Sequence, residues 1–322
     1  MLRRHLLAGA AGLSPLAARP ARAQEWRPER PIRVVVPFPA GGATDVWARL
    51  CAEPMSEILG VPVLIENRSG AGGMIGADAV AKAAPDGHTL LFTITSLVQA
   101  PVVLGNAPYD AVRDFTPIGR MGSTTLIFVI RAEHPARNLA EFIPYARGRG
   151  LTLGSWAAGS SGHVFGLAFN NLMNLGMTHV AYRGEAPMVT AFLSREVDAG
   201  INSLTSVREH IASGRLRPLA ALGSARAGTM PEVPTFLEQG VEVGRDWSGF
   251  VGLLGPARLP APILARLAET FRLTMAREAL QRRLREIDTD PGWAGPEAFG
   301  REIATVRDRW IEITRGMDLQ LG

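Results

Sequence analysis

The stretch Ile32-Arg33-Val34-Val35-Val36-Pro37-Phe38-Pro39-Ala40-Gly41-Gly42-Ala43-Thr44-Asp45 decides the fold. Residues 32–36 form a short apolar run rich in β-branched side chains, which reads as a buried strand. Residues 37–42, with two prolines and two glycines, read as a turn. Thr44 or Asp45 is placed to cap a helix. Val46, Leu50, Met55, Ile58 and Leu59 give that helix an apolar face, with Pro54 expected to kink it and Gly60 to end it.

The same alternation runs outward from this start. Residues 61–65 read as a strand, the glycine-rich stretch 70–76 leads into a helix through 77–84, Pro85-Asp86-Gly87 is a turn, and 89–95 is a third strand. Strand–helix–strand–helix–strand predicts a parallel sheet with right-handed crossovers. The pattern then repeats with different residues. Strands are expected at 126–130, 151–155, 178–182, 197–202 and 216–222, and helices at 139–147, 163–175, 187–193 and 206–213. A Pro- and Gly-rich stretch at 228–240 precedes a strand at 248–254 and two or three helices ending near 313. The expectation is two α/β lobes, each a mostly parallel sheet flanked by helices. Crossings are expected near 120–127 and 220–226. Lobe 1 is then 24–123 with 224–322, and lobe 2 is 124–223.

The first residues have a different build. Arg3 and Arg4 precede an apolar, uncharged run at 6–18, and Ala21-Arg22-Ala23 offers an A-x-A site with cleavage expected before Gln24. That order describes a secretory signal peptide over 1–23, for the Sec or the twin-arginine route. No later stretch is apolar and long enough to cross a bilayer. The full chain has 34 basic and 30 acidic residues, a net +4. Arg3, Arg4, Arg19 and Arg22 all lie in the leader, so the remainder is formally neutral. With no basic stripe interleaved with aromatics, nothing points to nucleic acid. Cys51 is the only cysteine, so no intramolecular disulfide forms, and its helical spacing from Trp47 suits a small core residue rather than a nucleophile.

The loop at 37–45 carries the first candidate chemistry. Glycines let a ligand approach the backbone, and a helix start presents unpaired N–H groups with partial positive charge. Together these make an anion site. A phosphate loop would want a lysine, and Lys82 is the only one in the chain, so a carboxylate fits better than a nucleotide. Gly159-Ser160-Ser161-Gly162-His163 again sits between a strand and a helix and could hold a second anionic group. Two such loops suggest a ligand clasped at the carboxyl ends of the strands. Catalytic alternatives match poorly. A nucleophile elbow would need glycine where His163 stands. Gly70-Ala71-Gly72-Gly73-Met74-Ile75-Gly76 departs from dinucleotide spacing, and no acid ends the next strand. The histidines show no paired metal-ligand spacing. No catalytic residue, metal site or cofactor is expected.

Several segments together resemble one known family. They are Pro31 through Asp45, Glu66-Asn67-Arg68-Ser69-Gly70-Ala71-Gly72-Gly73, Ala81 through Leu91, Asp114-Phe115-Thr116-Pro117-Ile118, Tyr182-Arg183-Gly184 and Pro231-Glu232-Val233-Pro234-Thr235. In this order they are similar to the periplasmic substrate-binding proteins of tripartite tricarboxylate transporters, the Bug proteins. The resemblance implies a two-lobed periplasmic binding fold with two hinge strands and no catalysis. It implies a small organic carboxylate ligand, a di- or tricarboxylate by the family's habit, and membrane permease subunits as partners of a monomeric receptor. It places ligand contacts on Phe38, Ala40, Gly42, Ala43 and Asp45 and on Ser160, Ser161 and His163. Gly41 and Thr44 of the same loop, Thr95 and Ser96 at the third strand's end, Arg183 and Asn202 complete the candidate set. Asn202 stands where many relatives carry an acid, a departure that bears on ligand choice. The alternative class is a periplasmic sensor presenting its ligand to a membrane signalling protein.

Overall fold

The structure is a computed structural model that describes residues 26–315 apart from 246 and 248. The expected leader at 1–23 lies outside the described residues. The chain begins β1 (Ile32–Val36), α1 (Ala43–Leu59), β2 (Val63–Asn67), α2 (Met74–Ala81), β3 (Thr89–Ile94), α3 (Ser96–Leu104) and β4 (Phe115–Thr124). It continues β5 (Leu126–Arg131), α4 (Leu139–Ala146), β6 (Thr152–Ser155), α5 (Ser161–Leu172), β7 (Thr178–Ala181), α6 (Glu185–Leu193), β8 (Ala199–Ser203), α7 (Leu204–Ala212) and β9 (Leu216–Ala221). It ends β10 (Val251–Pro256), α8 (Ala261–Met275), α9 (Glu278–Glu286), β11 (Thr289–Ala294) and α10 (Pro296–Thr314).

Two sheets result. The first has the order β11-β4-β10-β3-β1-β2 and the second β7-β6-β8-β5-β9. The expected parallel pairing holds for β1 with β2 and β3, and for β6 with β7 and β8. It does not hold where strands arrive from the other lobe. β10 runs antiparallel to β3 and β4, and β5 antiparallel to β8 and β9. Both sheets are therefore mixed, because a strand crossing between lobes enters without a helical crossover to reset its direction.

The first crossing is Thr125, which alone separates β4 of one sheet from β5 of the other. The return comes later than the expected 220–226. Ala221 bridges Thr235, the Phe236 N–H donates to the Ala221 carbonyl, and the Phe236 ring packs against Phe128 and Phe169 at 5.9 and 5.2 Å. The chain thus stays on the second sheet through this stretch and rejoins the first at Val251.

Local signals explain the element that matters most for the site. Gly42 precedes α1 in an extended conformation, and Gly41 has φ +83°, a left-handed turn that suits glycine. The Asp45 carboxylate accepts from the Gly41 N–H at 3.0 Å, closing the turn onto the helix. The helix runs unbroken through Pro54, and Gly60 ends it with φ +75°. One core cluster, with Trp47, Phe92 and Phe271, lies between the first sheet, α1 and α8. The other runs from the second lobe's aromatic cluster of Phe128, Phe142 and Phe169 across to Phe250, Phe299 and Trp310. Phe165 of α5 meets Trp310 of α10 at 5.5 Å, so the lobes are packed together on that side.

Candidate functional site

Helix amino termini from both lobes converge on one cavity. α1 brings Gly42, Ala43 and Thr44, α5 brings Ser161, α6 brings Glu185, and Ser203 caps α7. Thr95, just before α3, and Gln99 within it complete the polar lining. The rest is apolar and largely aromatic, with Phe38, Trp47, Trp156, Trp247 and Phe250 beside Ile94, Leu126 and Val251. The cavity is small, about 40 Å³, a few times the roughly 10–15 Å³ that one water needs. A ligand of several carbons enters only if the lobes or these side chains move apart. A wider groove beside it is lined by Arg120, Asp288 and Glu302, but Arg120 pairs with Glu302 and Asp288 with Arg208. Those four charges are matched within the protein.

Of the fourteen residues singled out from the sequence, Phe38, Gly42, Ala43, Thr44, Thr95 and Ser161 line the cavity. Asp45 is buried beneath the loop and does not line it. Its carboxylate accepts from the Gly41 N–H, from Arg49 Nε at 3.0 Å and from Asn67 Nδ2 at 2.9 Å. Burial pushes its pKa up, but the bonds from Arg49, Gly41 and Asn67 together hold it below the ordinary value. Asp45 therefore shapes the loop, as does Asn67, which also donates to the Phe38 carbonyl. Ala40 and Gly41 are exposed at the loop's tip.

The second loop divides its labour. The Ser160 Oγ donates to the Ala157 carbonyl and accepts from the His163 N–H, the work of a helix cap. His163 Nδ1 accepts from the Gly159 N–H, and its ring stacks on His179 at 4.0 Å. Burial, helped by His179, lowers the His163 pKa to about 4, so the ring is neutral with its proton on Nε2. Ser161 alone of the three faces the cavity, where its Oγ accepts from Gln99 Nε2 at 2.6 Å. That bond joins α3 of the first lobe to α5 of the second. Thr95 Oγ1 accepts from the Phe250 N–H at 2.8 Å, and Ser96 is buried with its hydroxyl unpartnered. Arg183 is exposed and borders a separate groove with Gly70–Gly73. Asn202 is fully buried on β8, beside Ile127, with neither amide atom partnered and with no share in the lining.

The lining residues that sequence reasoning missed include Gln99, Trp156, Glu185 and Trp247. Gln99 and Trp247 fall outside its expected elements. Trp156 is 4% exposed, and its indole N–H has no partner. Glu185 accepts from the Ser203 N–H at 2.7 Å and from the Ser203 hydroxyl at 2.8 Å. Burial raises its pKa, while donors from Ser203, Ala43 and Ser206 pull it back. An acid directly after Tyr182-Arg183-Gly184 and two residues before Pro187 was the available signal for a charged first helical turn.

Two α/β lobes with helix amino termini facing a shared cavity define a binding protein of the periplasmic type. The chain belongs to the tripartite tricarboxylate transporter family receptors, whose model matches residues 47–319. It is 33% identical to Protein BugT of Bordetella pertussis over 307 residues, covering 92% of each chain. It is also similar to the periplasmic binding protein BugD, at 29% identity and a TM-score of 0.85, covering 89% of this chain and 97% of that one. R. palustris Rpa4515 with adipate matches at 31% identity, a TM-score of 0.85 and the same coverage. Among the described residues no helix is long and apolar enough to cross a membrane.

Proposed function

We propose that this protein captures a small organic carboxylate in the cleft between its lobes and delivers it, unchanged, to the membrane permease subunits of a tripartite transporter. The observation that carries this reading is the convergence of helix amino termini on a cavity with no cationic side chain among the described residues of its lining. Backbone N–H groups and short hydroxyls then supply the donors for an anion. Adipate in a relative of 31% identity agrees with a carboxylate. Export to the periplasm on a leader at 1–23 completes the proposal. The test is a panel of organic acids, read by thermal shift and product formation together. A ligand at 100 times its dissociation constant should stabilise the fold by about 2.7 kcal/mol. Stabilisation by at least one acid without product is the expected result, and steady conversion of the acid would refute the reading.

A further inference from the structure

Among the described residues, the cavity lining contains one ionisable side chain, and it is an acid. Glu185 stands at the start of α6, and a Cβ placed on Gly42 would lie 4.0 Å from its own Cβ. Its carboxylate takes both donors of Ser203, and the Ala43 N–H, at the start of α1, is near enough to lower its pKa. The chain's own carboxyl group therefore stands beside the anion seat that the loop at 37–45 builds. A carboxylate brought to that loop would meet the Glu185 carboxyl group, with no cationic side chain among the described lining residues to offset the crowding of two acids.

Two further donors belong to lining residues, Trp156 and Ser161. Trp156 lines the cavity, 4% exposed, with its indole N–H unpartnered. A Cβ on Gly162 would strike the benzo edge of that indole, which packs against α5. Ser161 Oγ receives Gln99 Nε2 and keeps its own hydrogen free to donate. The lining also holds Phe38, Trp247 and Phe250, which suit an apolar, flat body.

We propose that the ligand of this cleft carries a single carboxylate on an apolar body, because Glu185 supplies the second carboxylate from the protein itself. This rests on the carboxylate-receptor reading above and narrows it. The test uses pairs of acids matched in body, hexanoate against adipate and benzoate against terephthalate, titrated calorimetrically into the native protein, Glu185→Gln and Glu185→Ala. The expected result is tighter binding of the single acid in at least one pair, by about tenfold or more, with that preference shrinking about tenfold in Glu185→Gln. A native preference for the double acid overturns this inference and leaves the receptor reading standing. An unchanged preference in a folded Glu185→Gln also overturns it. Failure of all four acids to bind the native protein overturns both. If neither variant folds, the native comparison decides alone.

Discussion

Replacing Trp156 by phenylalanine separates a ligand donor from a structural one. The indole is 4% exposed, and its N–H has no protein partner. A carboxylate accepting from it makes a charge-assisted bond, and losing such a bond costs about 1.5–3 kcal/mol, roughly a 10- to 150-fold rise in Kd. The fold responds differently. An unsatisfied buried donor costs about 1–3 kcal/mol, so removing it is favourable by that order. The smaller ring gives up packing against Gly162 and the cavity wall, an opposing loss of similar size. The two effects nearly cancel, and Tm should move by no more than about 4 °C. Calorimetric titration of the best-binding acid, with melting curves of both proteins, reads both quantities. An unchanged Kd would refute the placement of this donor on the ligand. A large fall in Tm with unchanged Kd would show that the N–H serves the fold.

Three further outcomes are expected. Gly42→Val is tolerated by its backbone, whose φ is −80°, but its branched side chain meets the start of α6 at Ala186 and Glu185. It should hold the lobes apart and abolish calorimetric binding while far-ultraviolet circular dichroism stays native, and normal affinity would make the loop a mere turn. Ser161→Ala strands the buried Gln99 amide and should cost about 1–3 kcal/mol in urea unfolding, with Gln99→Leu restoring stability but not affinity in the double variant. His163 and His179 are held near pKa 4 chiefly by burial, against about 6.5 when unfolded. The unfolded chain binds the extra protons, so their contribution is complete above pH 6.5 and is lost as pH falls toward 4. Tm measured across that window should decline, and His163→Gln should flatten the decline; an equal slope in both proteins would sink the assignment.

The strands legible in the sequence were those with unbroken apolar runs, β1, β3 and β5 among them. β4 and β11 were not, because Pro117, Gly119 and Gly122 interrupt one and Pro291 and Gly292 the other. Those glycines are there for packing. A Cβ on Gly119 would strike the Trp293 ring, and one on Gly122 the Asp290 carbonyl. A residue type that usually marks a turn here lets two strands and a ring approach closely. The first anion loop could be read from local signals alone, since strand, glycines and helix are contiguous. Glu185, Gln99, Trp156 and Trp247 come from four separate stretches, and only the double crossing between sheets brings them to one cavity. Asn202 is placed differently from the loop residues. Its place at a strand end suggested the cleft, whereas β8 carries its amide into the interior.

Gln99 to Ser161, Arg208 to Asp288 and Phe165 to Trp310 all tie one lobe to the other through protein groups alone. Such ties favour closure equally for every ligand, so they set a threshold and no preference. Strengthening them raises the affinity of every acid together, up to the point where nearly all molecules are closed. Beyond that point opening becomes the slow step for entry and escape alike. A receptor that announces its cargo by shape then faces a second limit, since a lobe arrangement held shut by its own bonds looks the same to a membrane partner whether or not anything is inside. The strength of these few contacts is therefore a setting of signal against background, and variants that weaken them should trade affinity for a cleaner report.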